Sequence, residues 1–383
     1  MSAHQRRLFL FQCCALLLLS GSGATAAKTP LVARANSSTN TLSFKILQIT
    51  DLHFTGDPTR VCKDAPEHLN VSCTEALMAQ FIDELLDVET PDLVVFSGDA
   101  IQTLEGTRAS QQLAVDTFTR GVEARGIPHA EVLGNHDDDN GFGREDVLSA
   151  MMDKLHSYTQ RGPTSIEGVG NYQLSTRYPD ASSRYDWIHE SQVRYYRELS
   201  DAAKAMTAAS APAVMFFHIP LQEFAEAALK WRWRTGEMNE KVEPSLVHST
   251  LFSALVRQNE VKAVFVGHDH TNAYCFRKSG LQLCCAGGAG LGLAYGASDV
   301  ARRARVIEWN VNSVNERTIR SWERLFGSVS ERYEPKVLFT QEAAVKVGLE
   351  SSGEALLRRD DSHVFCVSLL AVATGLSAVR SLG

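Results

Sequence analysis

The chain has 383 residues, of which 44% are hydrophobic and 22% charged, with a formal net charge of -7. That length and composition allow a substantial core, in one large domain or two smaller ones. The acidic balance argues against a protein that works by gripping nucleic-acid phosphates, which needs a basic surface, and no positive block interrupts it.

In chain order, "MSAHQRRLFLFQCCALLLLSGSGATAAK" places Arg6 and Arg7 before a short apolar run, followed by small residues in an Ala-x-Ala pattern. This predicts a cleaved signal peptide over residues 1–27, with processing near Ala26 or Ala27. The apolar run from Phe9 to Leu19 is too short to span a bilayer comfortably. Export would oxidise cysteines, and two of the eight, Cys13 and Cys14, would leave with the signal. Of the rest, Cys62 and Cys73 bracket a polar loop, and Cys275 faces Cys284 and Cys285 across the turn "FRKSG". Two local disulfides are expected, one between Cys62 and Cys73 and one from Cys275 to either Cys284 or Cys285. The sequons at Asn36 and Asn70 fit an extracellular, cell-surface or vacuolar destination.

A Ser/Thr/Asn-rich linker over 28–42 precedes the folded part, which is expected to span 43–340 as one domain. Five β-rich runs follow, each ending in polar residues. "FKILQI" ends at Thr50 and Asp51, "DLVVFS" at Gly98 and Asp99, and "HAEVL" at Gly134 and Asn135. "AVMFF" ends at His218, and "VKAVFV" at Gly267 and His268. Helical patterns alternate with them. Ser72 and Glu75 read as a capping box before the stripe Leu77, Phe81, Ile82, Leu85 and Leu86. "QQLAVDTFTRGVEARG" and "HSTLFSALVRQN" behave similarly. Alternating strands and helices imply an α/β fold, in which ligands collect at the carboxyl ends of strands.

From about Asp138 to Pro212 the periodicity weakens, and "RGPTSIEGVGNYQLSTRYPD" reads as a long loop and hairpin. "LKWRWRTGEMNEKVEP" is a polar insertion whose Trp231, Arg232, Trp233 and Arg234 either bind an aromatic or anionic substrate or form a surface flap. Residues 341–383 read as a tail outside the core. Ser351, Ser352 and Gly353, a polar spacer and an apolar stretch from Val364 to Val379 match a glycolipid-anchor signal or, equally, a loosely packed terminal helix.

The strand-end clusters hold Asp51 and His53 in "DLH", Asp99 in "GD", Asn135, His136 and Asp137 in "GNHD", His218 in "FFHIP", and His268 and His270 in "GHDH". Carboxylates, imidazoles and one amide form a ligand set for two hard or borderline divalent ions. Their order and spacing resemble the calcineurin-like metallophosphoesterase superfamily, with blocks D-x-H, G-D, G-N-H-D/E, H and G-H-x-H. Within it the chain looks most like the short purple-acid-phosphatase-related branch of plants, fungi and protists. That likeness runs over roughly Phe44 to Leu338 and includes "PDLVVFSGD", "FFHIPLQEF", "KAVFVGHDHTNAYC" and "AGGAGLGLAYG".

The resemblance implies an α/β sandwich of two mixed β-sheets flanked by helices, with the metal site at the carboxyl ends of strands. It also implies one ion held by Asp51, His53, Asp99 and His270, and another by Asp99, Asn135, His218 and His268, with Asp99 as the bridge. The ions are expected to be Fe, Mn or Zn, divalent or mixed-valence. A hydroxide between them would attack a phosphate ester in line, with uncoordinated His136 serving the leaving oxygen and Asp137 fixing its orientation. Asp269 is expected to bond backbone. The chain departs from true purple acid phosphatases, whose blocks are D-x-G and G-D-x-x-Y: His53 and Gln102 stand at those positions. The metal-binding tyrosine is thereby lost, and a colourless enzyme is expected. The functional expectation is an exported phosphomonoesterase, with a phosphodiesterase or nucleotide pyrophosphatase, or a non-catalytic surface protein retaining the metals, as alternatives. The partner is a phosphate-ester substrate, with no nucleic acid and no membrane contact beyond a glycolipid anchor.

Overall fold

A computed structural model of the chain describes residues 31–342 and 366–369, except 68, 70, 142, 167–168, 170–186 and 207–211. The expected signal peptide, the sequon at Asn70, the anchor-like spacer, and Asn171 and Tyr172, which the sequence "GNYQL" offers either as pocket-lining residues or as a plain turn, lie outside the described residues. The amino-terminal half runs β1 (Arg34–Asn36), β2 (Thr41–Ile49), α1 (Glu75–Glu89), β3 (Leu93–Ser97), α2 (Arg108–Ala124), β4 (His129–Val132), α3 (Arg144–Met152) and α4 (Glu190–Met206). There follow β5 (Ala213–Phe216), β6 (Arg234–Met238), α5 (Leu251–Gln258), β7 (Val261–Val266), β8 (Asn272–Lys278) and β9 (Leu281–Cys285). The last elements are β10 (Arg303–Val311), β11 (Arg317–Leu325), β12 (Ser328–Gln341) and β13 (Cys366–Leu369).

Two mixed sheets form the expected sandwich. One has the order β12-β11-β10-β2-β3-β4, with β1 beside β2; the other has the order β13-β5-β7-β9-β8-β6. The central strands are parallel, β2 with β3 and β4 in one sheet, and β5 with β7 and β9 in the other. Buried on both faces, they read as unbroken apolar runs, as in the all-buried "LVVFS" of β3. Alternate residues point inward: Ile46, Val95 and Val132 meet Val214, Phe216 and Phe265 between the sheets. The opposite residues Leu47, Val94 and Phe96 pack with Phe81 and Phe118 under α1 and α2. On the far side, Met215, Val264 and Val266 pack with Val193 and Leu255 under α4 and α5. Each fully buried Phe or Leu contributes about 1.5–3 kcal/mol of transfer free energy, enough in sum to bind two layers of strands and two of helices.

Several expectations are corrected. The expected linker includes a small hairpin, since β1 pairs antiparallel with β2 (Arg34↔Ser43) around a turn in which Asn40 takes φ 52°. Arg34 ties it down by reaching the Asp92 carboxylate and the Thr90 carbonyl. The capping box does not form: Thr74 is the cap residue of α1. Glu75 instead turns back to accept from Thr55 N at 2.9 Å and Gly56 N at 2.8 Å, fixing the loop after β2. The weakly periodic region contains α3 and α4. The tail contributes β13, which lies parallel to β5 and satisfies backbone groups on the outer edge of that sheet.

Both disulfides are present, Cys62 to Cys73 and Cys275 to Cys284. The pairing of Cys275 follows from the period of two along a strand. Cys284 stands directly across the β8–β9 ladder from Cys275, whereas the next residue, Cys285, points to the opposite face and stays a buried thiol.

Candidate metal centre

All five polar clusters meet at the carboxyl ends of β2, β3, β4, β5 and β7, where the two sheets face each other. The backbone leaves these strands sharply. Asp51, His53, Asp99 and His268 adopt left-handed conformations, with φ of 57°, 52°, 50° and 73°. Such positions cost non-glycine residues about 1–3 kcal/mol each and persist only where the surroundings enforce them. Here the neighbouring chain ends do so: Asp51 N donates to Gly98 O at 3.1 Å, and His53 N to Asp99 O at 2.9 Å. Crowding demands glycine nearby. A Cβ on Gly267 would fall 2.1 Å from Thr50 Oγ1, and one on Gly290, in the Gly-rich segment, 2.1 Å from the Asp51 carbonyl.

The ligand atoms of Asp51, His53 and His270 lie within 4.8 Å of one another, as do those of Asp99, His218 and His268. Hydrogen bonds at the back of three rings decide which nitrogen faces the centre. His53 Nδ1 is 3.0 Å from Gln102 Oε1, His218 Nδ1 is 3.0 Å from Ser97 O, and His270 Nδ1 is 2.8 Å from Tyr295 O. Each partner is an oxygen that only accepts, so each Nδ1 carries the proton and each Nε2 points inward. The Nε2 atoms of His53 and His270 stand 3.1 Å apart. Two lone pairs at that separation repel unless a cation or a proton lies between them. His218 Nε2 is buried without a hydrogen bond, 3.2 Å from Asp99 Oδ2. This donor set fits metal ions.

The protonation preferences agree with that fit. Burial pushes His53 down to about 4 and His268 down to about 3, and it holds His270 well below the ordinary value, so all three keep lone pairs near neutrality. Burial alone would raise Asp99, but His218 and then His53 outweigh it and hold the carboxyl well below its usual range. Burial opposes charge on His218 too, yet Asp99 and Asp51 lift it to about 9. A proton there occupies the place a cation would take.

Asn135, 5% exposed, and His136 follow β4. His136 sits at the rim, its side chain 34% exposed, with its ring centroid 5.1 Å from that of His53. It also lies within 4.8 Å of His53 and Asp99 by ligand atom. Asp137 does not orient it. Buried, its carboxylate accepts from Asp99 N and Ile101 N at 3.0 Å each and from Gly134 N at 2.6 Å, tying the β3 and β4 exits together. Asp139 takes the expected place instead, with Oδ2 at 2.9 Å from His136 Nδ1. One turn, with Asp139 N donating to His136 O, brings it there. Asp269 accepts from Glu243 N at 3.2 Å and lies 3.3 Å from Asn272 Nδ2, bracing the loop. Trp233, 69% exposed, stands out from the surface and does not pack on the core.

Sequence reasoning passed over Asp139 and the role of Tyr295. The ring of Tyr295 stacks on His270 at 3.8 Å between centroids, while its hydroxyl donates to Glu240 Oε2 at 2.9 Å. The same oxygen accepts from His270 N at 3.2 Å, so the hydroxyl is engaged by backbone and by Glu240. Loaded with iron, the pure protein is expected to show no intense visible tyrosinate charge-transfer band. Such a band would place a tyrosine on the metal and overturn this ligand arrangement.

Two facing mixed sheets with an Asp/His-rich cluster at their strand ends define an α/β metal-binding protein of the phosphoesterase type. The comparisons agree: the family model described as "Calcineurin-like phosphoesterase" matches residues 44–272, and the chain belongs to that family. Among its relatives, "Probable inactive purple acid phosphatase 14" of Arabidopsis thaliana is 30% identical over 346 residues, covering 79% of this chain and 86% of the relative. "Phosphatase DCR2" of Saccharomyces cerevisiae is 31% identical over 329 residues, covering 76% of this chain and 55% of the relative. A solved dimetal phosphatase from Danio rerio aligns with a TM-score of 0.49 at 14% identity, covering 79% of this chain and 99% of that one.

Proposed function

We propose that the chain is an exported phosphomonoesterase that uses two divalent ions. Asp51, His53, Asp99 and His270 would hold one ion, and Asp99, Asn135, His218 and His268 the other. Ions held there supply Lewis-acid polarisation of phosphoryl oxygens and a bound water of lowered pKa. The protein's own residues do the rest. Asp99 ties the two ligand groups, Asp137 fixes the loops that carry Asp99 and Asn135, and His136 at the rim donates a proton to the leaving oxygen.

The observation that carries this reading is the convergence of inward-facing imidazole nitrogens on two carboxylates, with a further imidazole at the open edge. Two disulfides, together with the amino-terminal charged and apolar segment, support passage through the secretory pathway. Residues 43–340 are proposed as the catalytic domain.

Purified protein loaded in turn with Mn, Zn and Fe tests the reading on p-nitrophenyl phosphate and bis(p-nitrophenyl) phosphate. Faster turnover of the monoester is expected. Turnover of the diester alone would make it a phosphodiesterase. Bound metal without turnover of either would leave a non-catalytic metal-binding protein.

A further inference from the structure

We propose that Gln102 and Asp139 are positioning residues that together set the direction of the two imidazoles flanking the reaction, His53 on the metal side and His136 on the substrate side. The inference rests on the phosphoesterase reading above. Neither residue belongs to the ligand set, and sequence comparison with purple acid phosphatases marks Gln102 only as the site of a lost tyrosine.

Asp139 Oδ2 lies 3.0 Å from Gln102 Nε2 and 2.9 Å from His136 Nδ1. An ionised carboxylate only accepts, so Gln102 must turn its NH2 toward Asp139. The amide oxygen then faces His53 Nδ1 at 3.0 Å. That oxygen also only accepts, which places the proton of His53 on Nδ1 and leaves Nε2 bare, 3.1 Å from Nε2 of His270. The reversed amide would set one oxygen against the Asp139 carboxylate and an N–H against His53 Nδ1, exposing the wrong tautomer to the metal.

The same carboxylate oxygen accepts from His136 Nδ1, and Gln102 Nε2 stands 3.1 Å from that nitrogen, so both residues hold the ring. With Nδ1–H held by Asp139, Nε2 faces the substrate, and the ring donates from it in the form that carries protons on both nitrogens. Backbone anchors keep the device in register, since Gln102 N donates to Phe54 O at 2.9 Å, just past His53. A single acidic group at the rim thus dictates the amide orientation and, through it, the His53 tautomer, while it holds His136 directly.

Gln102→Leu removes the amide, and Asp139→Ala removes the group that orients it. Chelator competition should show metal affinity falling by roughly 10–100-fold in Gln102→Leu, the usual scale for a lost partner of a ligand. In long-range 15N spectra of metal-free Gln102→Leu, His53 should lose the single Nδ1–H form. In Asp139→Ala, turnover of an alkyl phosphate, whose leaving oxygen needs a proton, should fall by about tenfold more than turnover of p-nitrophenyl phosphate, a fraction of the 10²–10⁴-fold that a general acid supplies. Asp139→Asn, which still offers an acceptor, should recover most of that difference. Gln102→Met supplies a second variant of similar length if the leucine protein does not fold. An unchanged His53 tautomer with unchanged metal affinity would overturn the proposal, as would equal losses on the two substrates. If the wild type hydrolyses no phosphate ester, the functional reading fails, while the His53 tautomer and metal affinity still decide this inference.

Discussion

Asp99→Ala is expected to abolish hydrolysis, with a fall of at least about 10³-fold, beyond the 10²–10³-fold lost with a single stabilising donor. The reason is that Asp99 serves three places at once. Its Oδ2 is 3.2 Å from His218 Nε2 and 3.7 Å from His53 Nε2, so it joins the two ligand groups. Its Oδ1 accepts from His136 N at 2.7 Å, which sets the start of the loop carrying the proton donor. Alanine would leave His53, His218, His268 and His270 crowded with only Asp51 to offset a cation. Metal analysis should accordingly find fewer than two ions per chain. Appreciable turnover after metal is added back would sink the two-ion reading.

His136→Ala should behave differently. Metal content should stay near that of the wild type while turnover drops by roughly a hundredfold or more, the scale for losing an acid or base. The side chain lies at the exposed rim, and Nδ1 is engaged by Asp139. Its approach to His53 and Asp99 makes the alternative concrete, because a ligand role would show as metal lost along with activity. Elemental analysis on the same samples as the kinetics separates the two.

The five strand ends were legible because fully buried strands read as apolar runs, and the polar residues that close them contrast with those runs. The choice of Cys284 over Cys285 followed only once the ladder register was known, since adjacent residues share local sequence and differ in face. Asp137 and Asp139 show the same limit. Both neighbour His136 in sequence, yet the turn sends one inward to backbone amides at the β3 and β4 exits and the other to the imidazole. Gln102 gives no local signal, because its meaning lies in contacts with His53 and Asp139 that only the fold brings together. The helix α4 escaped notice because its apolar side is sparse, with Val193 and Tyr196 buried among many charged residues.

The left-handed backbone at four of the candidate ligands has an evolutionary consequence. Asp51, His53, Asp99 and His268 occupy conformations that glycine adopts freely, whereas Asn135, His218 and His270 do not. At the first four, natural selection for activity and selection for folding pull in opposite directions, and drift toward glycine would relieve about 1–3 kcal/mol of strain per position. A lineage that ceased to need the chemistry would therefore gain robustness as it lost its ligands. Decay of such a centre should begin at Asp51, His53, Asp99 and His268, while the other three linger as relics of it.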